Sequence, residues 1–111
     1  MKFNFKYAGN EISLNVRVLK NVFAQARGLM FRKKSLPLLF IFKNKKTRAI
    51  HSFFCKPFIA IWFNGDRIVD VKKVKPWKIS IKPLEKFDRL LEVLEGDVTF
   101  KSFLDEEKLK Y

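Results

Sequence analysis

Between Glu11 and Asp66 this chain has no aspartate and no glutamate. Paired carboxylates for general acid–base chemistry are therefore confined to the C-terminal part, where Asp105, Glu106 and Glu107 read as a solvated turn. Cysteine is nearly absent too. Cys55 is alone, which excludes an internal disulfide and every multi-cysteine metal site and points to a reducing cytoplasm. His51 is the single histidine, so a zinc centre built from His and Cys has too few ligands. No apolar run approaches the ~20 residues of a membrane helix. The start, "MKFNFKYAGN", lacks the apolar stretch of a signal peptide. A Walker loop, a Gly-x-Gly-x-x-Gly turn and a Gly-x-Ser-x-Gly elbow are all missing. No cofactor is expected.

What is present is positive charge and aromatic carbon. The 111 residues carry 24 Lys and Arg against 11 acids, a net charge of +13, and include 13 Phe. The acid-free stretch holds Arg17, Lys20, Arg27, Arg32, Lys33, Lys34, Lys43, Lys45, Lys46, Arg48 and Lys56, whereas acids outnumber bases from Glu85 onward. Such a field attracts polyanions and raises their encounter rate, although a solubility requirement would produce the same composition. With 48% hydrophobic and 32% charged residues the composition is globular, and the length suits one domain over residues 1–111.

Residues 3, 5 and 7 are aromatic and alternate with polar positions, and Ile12, Leu14, Val16 and Val18 alternate again. Two period-two runs joined by a turn at Gly9-Asn10 predict a β-hairpin. "NVFAQARG" breaks the period: Val22, Phe23 and Ala26 fall at helical spacing, Asn21 can cap and Gly28 can terminate, predicting a short helix over about residues 21–28. "LLFIF" and "FIAIWF" are apolar without alternation, as in strands covered on both faces. Asn64-Gly65 then marks a hairpin leading into "RIVDVKKV". "WKISIK" alternates, "LEKF" suits a helical turn, "RLLEVLEG" reads as a strand closed by Gly96, and "KLKY" as an edge strand. About eight short strands predict a mostly β fold, a small antiparallel barrel or sandwich with one or two short helices. The alternative is an α+β fold with the helical segments on one sheet face.

"ARGLMFR", "LPLLFIF", "IHSFFCKPFIAIWF", "DRIVDVKKVKPW" and "LLEVLEG" follow one another over residues 11–110 in an order that resembles an uncharacterised prokaryotic family catalogued as domain of unknown function 192. The resemblance implies a compact, mostly β domain and no particular reaction. Two departures stand out. Ala60 occupies the place of an aspartate in a Pro-hydrophobic-Asp triplet, and Cys55, Lys56 and Pro57 replace a Met-x-Asn. Any chemistry the family performs with that aspartate is lost here.

Arg27 and Arg32 frame Gly28, Leu29, Met30 and Phe31. One reading makes the arginines an anion pocket with Trp62, because guanidinium forks suit carboxylate and phosphate. The favoured one places the quartet in the core and clamps an arginine onto Glu92, which lies within the apolar run Leu90–Leu94. His51 and Cys55, four apart on an extended segment, would be ~13 Å distant, too far for proton transfer. Phe53, Phe54, Lys56, Phe58 and Trp62 interleave rings and bases like a single-strand-binding platform, though most of these rings suit the core better. Lys43, Lys45, Lys46 and Arg48 are expected on a hairpin turn, with Lys33 and Lys34 after the helix, as a surface for nucleic acid or another acidic macromolecule. These residues describe a monomeric, non-enzymatic binding module, with a small-molecule site or enzyme around Arg27, Arg32 and Trp62 as the alternative.

Overall fold

A computed structural model describes residues 1–7, 9–20, 28, 30, 34–46, 49–78 and 80–97. These hold seven strands: β1 (Lys2–Tyr7), β2 (Asn10–Asn15), β3 (Arg17–Leu19), β4 (Leu38–Lys46), β5 (Phe58–Asn64), β6 (Arg67–Val74) and β7 (Phe87–Leu94). The fold is mostly β, with no helix among the described residues. Residues 21–27 of the predicted helix, residues 98–111 with their "KLKY" strand, and Arg32, Lys33 and Arg48 lie outside them.

β1 and β2 form an antiparallel two-stranded sheet. The other five are ordered β3-β4-β7-β5-β6, and the two sheets make an open sandwich rather than a closed barrel. The hairpin turns one residue earlier than expected, since Tyr7 already pairs with Asn10 and Gly9 takes a φ of +82°. The second hairpin turns one residue later, at Gly65-Asp66, with Asn64 pairing Arg67. A φ of +62° at Gly65 explains the glycine.

The run from Ile12 to Val18 is divided between the two sheets. Val16 breaks it, donating its N–H to the Met1 carbonyl at 2.7 Å, and the chain continues as β3 in the larger sheet. There β3 pairs parallel to β4, so the larger sheet is mixed and not wholly antiparallel. The long connection between these strands permits this, because parallel neighbours need a crossover of a dozen or more residues.

The un-alternating "FIAIWF" of β5 is explained by burial on both faces. Ile59, Ile61 and Phe63 face Phe3, Phe5, Tyr7 and Leu14 of the hairpin, joined by Leu91 and Val93 of β7. The Phe63 ring meets Phe3 and Phe5 edge-on, with centroids 5.3 Å away in each case. Phe58, Ala60 and Trp62 face the other way, with Leu38, Phe40, Leu90 and Leu94. No second sheet covers that side among the described residues. It is met by irregular chain carrying Ile50, Cys55 and Ile81, where Ile50 and Ile81 form an isolated two-residue bridge.

The described residues of "WKISIK" form no strand: Trp77 is exposed with a φ of +65°, and Ile81 makes an isolated bridge with Ile50. Leu84 and Glu85 form a bend and not a helical turn.

Phe63 is wholly buried at the meeting of hairpin and sheet. Phe63→Ala is expected to cost about 3–5 kcal/mol, read as a lower midpoint at unchanged slope in urea denaturation.

Candidate anion-binding site

β6 ends in "KKV" and runs into "KPWK", which places four lysines within seven residues. Lys72, Lys73, Lys75 and Lys78, with Val74 and Ile81, line a surface cavity of about 250 Å³. The lining has no acidic residue. Lys72 is steered by the Lys82 carbonyl and by Asp70, whose Oδ2 lies 3.7 Å from its Nζ.

Ser52 holds this loop in place. It is completely buried, and its hydroxyl donates to the Lys75 carbonyl at 2.6 Å while accepting the Lys78 N–H at 2.8 Å. Its own N–H donates to the Lys78 carbonyl at 3.0 Å, and its carbonyl accepts the N–H groups of Trp77 at 3.0 Å and Cys55 at 3.2 Å. One side chain and one peptide unit thus satisfy polar groups that burial would otherwise strand.

The same contacts turn residues 52–55 sharply, so the extended segment expected between His51 and Cys55 is not formed. Phe54 sits at a φ of +59°. His51 Nδ1 accepts the Phe53 N–H at 3.2 Å, and the Cys55 thiol points to the Phe53 carbonyl at 3.4 Å. Burial, with Glu92 adding a smaller push, raises the thiol to about 11. A thiol in that state is a poor nucleophile. The Phe54 and Trp77 rings are exposed and meet edge-on at 4.8 Å.

The residues singled out from sequence are distributed differently. Trp62 and Phe58 are core, which removes both from any surface platform. Lys34 is exposed and precedes β4, whereas Lys43, Lys45 and Lys46 belong to the far end of β4 and not to a turn. The whole strand lies between these two groups. Strand order and direction instead bring Lys34 to the end of the sheet where β6 finishes at Val74. Gly28 is buried with a φ of +49°, and Met30 is half-buried.

Glu92 pairs with Leu38 on one side and Ala60 on the other, and it is buried. Burial pushes its carboxyl up to about 8, so the acid is largely protonated at neutral pH, and the arginines expected to clamp it, Arg27 and Arg32, lie outside the described residues. Trp62, next but one to Ala60, has a buried Nε1–H with no acceptor among the described residues. The lysine loop has no clear sequence signature because the alternation after Pro76 predicts a strand. The signal was the density of "KKVKPWK" around a proline.

The chain matches the family described as uncharacterized ACR, domain of unknown function 192, over residues 4–108. It is 37% identical over 70 residues to a UPF0127 protein of Pyrococcus horikoshii, covering 60% of this chain and 61% of that one. To a UPF0127 protein of Pyrococcus furiosus it is 30% identical over 77 residues, covering 66% of each chain. The match thus spans less than two thirds of either relative. Two crystal structures share the fold. A Novosphingobium aromaticivorans protein of unknown function has a TM-score of 0.75 at 16% identity, covering 86% of this chain and 73% of its own. A candidate transcription regulator of Sinorhizobium meliloti has a TM-score of 0.76 at 17% identity, covering 96% and 84%.

Three outcomes follow from this geometry. Ser52→Ala strands the Lys78 N–H and the Lys75 carbonyl and is expected to cost about 1–3 kcal/mol in denaturant titration. Cys55 is expected to alkylate roughly a hundredfold more slowly at pH 8 than a free thiol, in a timed iodoacetamide reaction followed by mass. For Glu92 the raised value means that its contribution to stability is fully present below about 4.5 and is lost as pH rises towards about 8. The melting temperature of the protein should fall across that window and that of Glu92→Gln should fall less. A Gln variant destabilised at pH 6 by ~1–3 kcal/mol would instead reveal an arginine clamp.

Proposed function

Because the chain belongs to the uncharacterized ACR family, domain of unknown function 192, we propose from its own residues that it is a non-enzymatic binding module for an anionic macromolecule, acting as a cytoplasmic monomer. The observation that carries this reading is the cavity walled by Lys72, Lys73, Lys75 and Lys78. Its volume, about 250 Å³, falls below the roughly 300–1,000 Å³ of pockets that enclose small molecules. A groove of that size takes one anionic group of a longer chain more readily than it engulfs a free ligand. Lys34, exposed ahead of β4, adds positive charge at the same end of the sheet. The candidate regulator that shares the fold does not carry the argument, since likeness at 17% identity concerns the fold alone.

The test is a binding titration with labelled RNA and DNA of about twelve nucleotides at ~50 and ~200 mM salt. Four phosphate contacts predict a fall in affinity of roughly 50-fold on single strands and 150-fold on duplex between the two salts. Reversing Lys72, Lys75 and Lys78 to Glu should abolish binding, and reversing Lys43, Lys45 and Lys46 should weaken it less. No binding at the lower salt, or binding indifferent to the first set, contradicts the proposal.

A further inference from the structure

The largest exposed aromatic surface among the described residues sits beside the lysine cavity. Trp77 is 59% exposed and Phe54 49% exposed, against complete burial of Trp62. Their rings touch, and Phe53 continues the group with its centroid 6.1 Å from Trp77 and 5.1 Å from His51. Trp77 stands in the chain between Lys75 and Lys78, both of the cavity wall.

Nothing in folding asks for these rings to be outside. Apolar side chains of this size normally gain by burial. Moreover, Phe54 and Trp77 both occupy the left-handed region, at φ of +59° and +65°, which bulky residues avoid and glycine or asparagine would enter freely. Ser52 binds the N–H of Trp77 and of Cys55 through one carbonyl, holding both strained positions in a single knot. The result is a fixed aromatic ledge at the rim of a cationic cavity.

We propose that this ledge is a base-stacking platform, and that the anionic partner is single-stranded nucleic acid: a base stacks on Trp77, flanked by Phe54, while the adjoining phosphates enter the lysine cavity. This rests on the anion-binding reading above. Single-stranded nucleic acid presents a π-face with every base beside its phosphates, which a sulfated glycan lacks and an acidic protein offers only sporadically, and such stacking is independent of sequence. A duplex hides those faces and engages the lysines only.

Trp77 is the natural reporter. A ten-residue oligothymidylate at ~50 mM salt should quench the red-shifted emission of exposed Trp77 saturably and leave the blue emission of buried Trp62 unchanged. Trp77→Asn suits the left-handed backbone, so its melting temperature should match or exceed that of the parent. It should lose the quench and bind the oligonucleotide roughly 5- to 150-fold more weakly, with heparin affinity within about twofold. Phe54→Asn should show a smaller loss of the same kind.

Oligonucleotide affinity unchanged in Trp77→Asn, equal losses for heparin and oligonucleotide, or saturable binding without any quench in the parent would each overturn the stacking proposal while leaving the anion-binding reading intact. If neither heparin nor oligonucleotide binds the parent at that salt, both readings fail. The parent's quench decides the matter even should a variant not fold.

Discussion

The larger sheet is apolar on both faces, and the rest of the structure answers to that. Two of its inner strands, β5 and β7, are buried from front and back. The β1–β2 hairpin covers one side with aromatic rings in regular alternation. The other side is covered by irregular chain, whose peptide groups have no ladder to satisfy them. Burying such chain costs about 1–3 kcal/mol for each unpaired polar group. Ser52 resolves much of this by gathering the backbones of 52–55 and 75–78 about itself.

That solution shapes the surface chemistry. Once the carbonyls of Lys75 and Lys78 are turned inward to Ser52, the loop is fixed, and its lysines wall a cavity. The same knot holds Phe54 and Trp77 in backbone conformations that leave their rings exposed. Beneath the loop the sheet keeps two polar groups inside, Glu92 and the Trp62 Nε1–H. With Ala60 where the resembling pattern has an aspartate, this face carries one buried carboxylate at that level and not two.

Legibility in the sequence followed how local each determinant was. The β1–β2 hairpin, the two-sided burial of β5 and the close of β7 near Gly96 all have signals within a dozen residues, and all were readable. The parallel pairing of β3 with β4 depends on a long connection and left no local mark. Val16 gives no hint of changing sheets, because its alternation continues unbroken through the corner. Lys43, Lys45 and Lys46 looked like turn residues, yet pairing of β4 with β7 carries the strand on to Lys46. The lysine cavity was hidden for the opposite reason: Trp77, Ile79 and Ile81 imitate a strand, while Trp77 in fact points to solvent. Ser52 could not be found at all, since a serine acquires this role only from partners more than twenty residues away.

On this structure the Ser52-pinned loops are the proposed binding face. Backbone amide shifts recorded during titration with a short single-stranded oligonucleotide test it most directly. The largest changes are expected on residues 51–55 and 72–78, with little change along β1 and β2. Changes concentrated on Lys43–Lys46, or spread evenly over the surface, would contradict it.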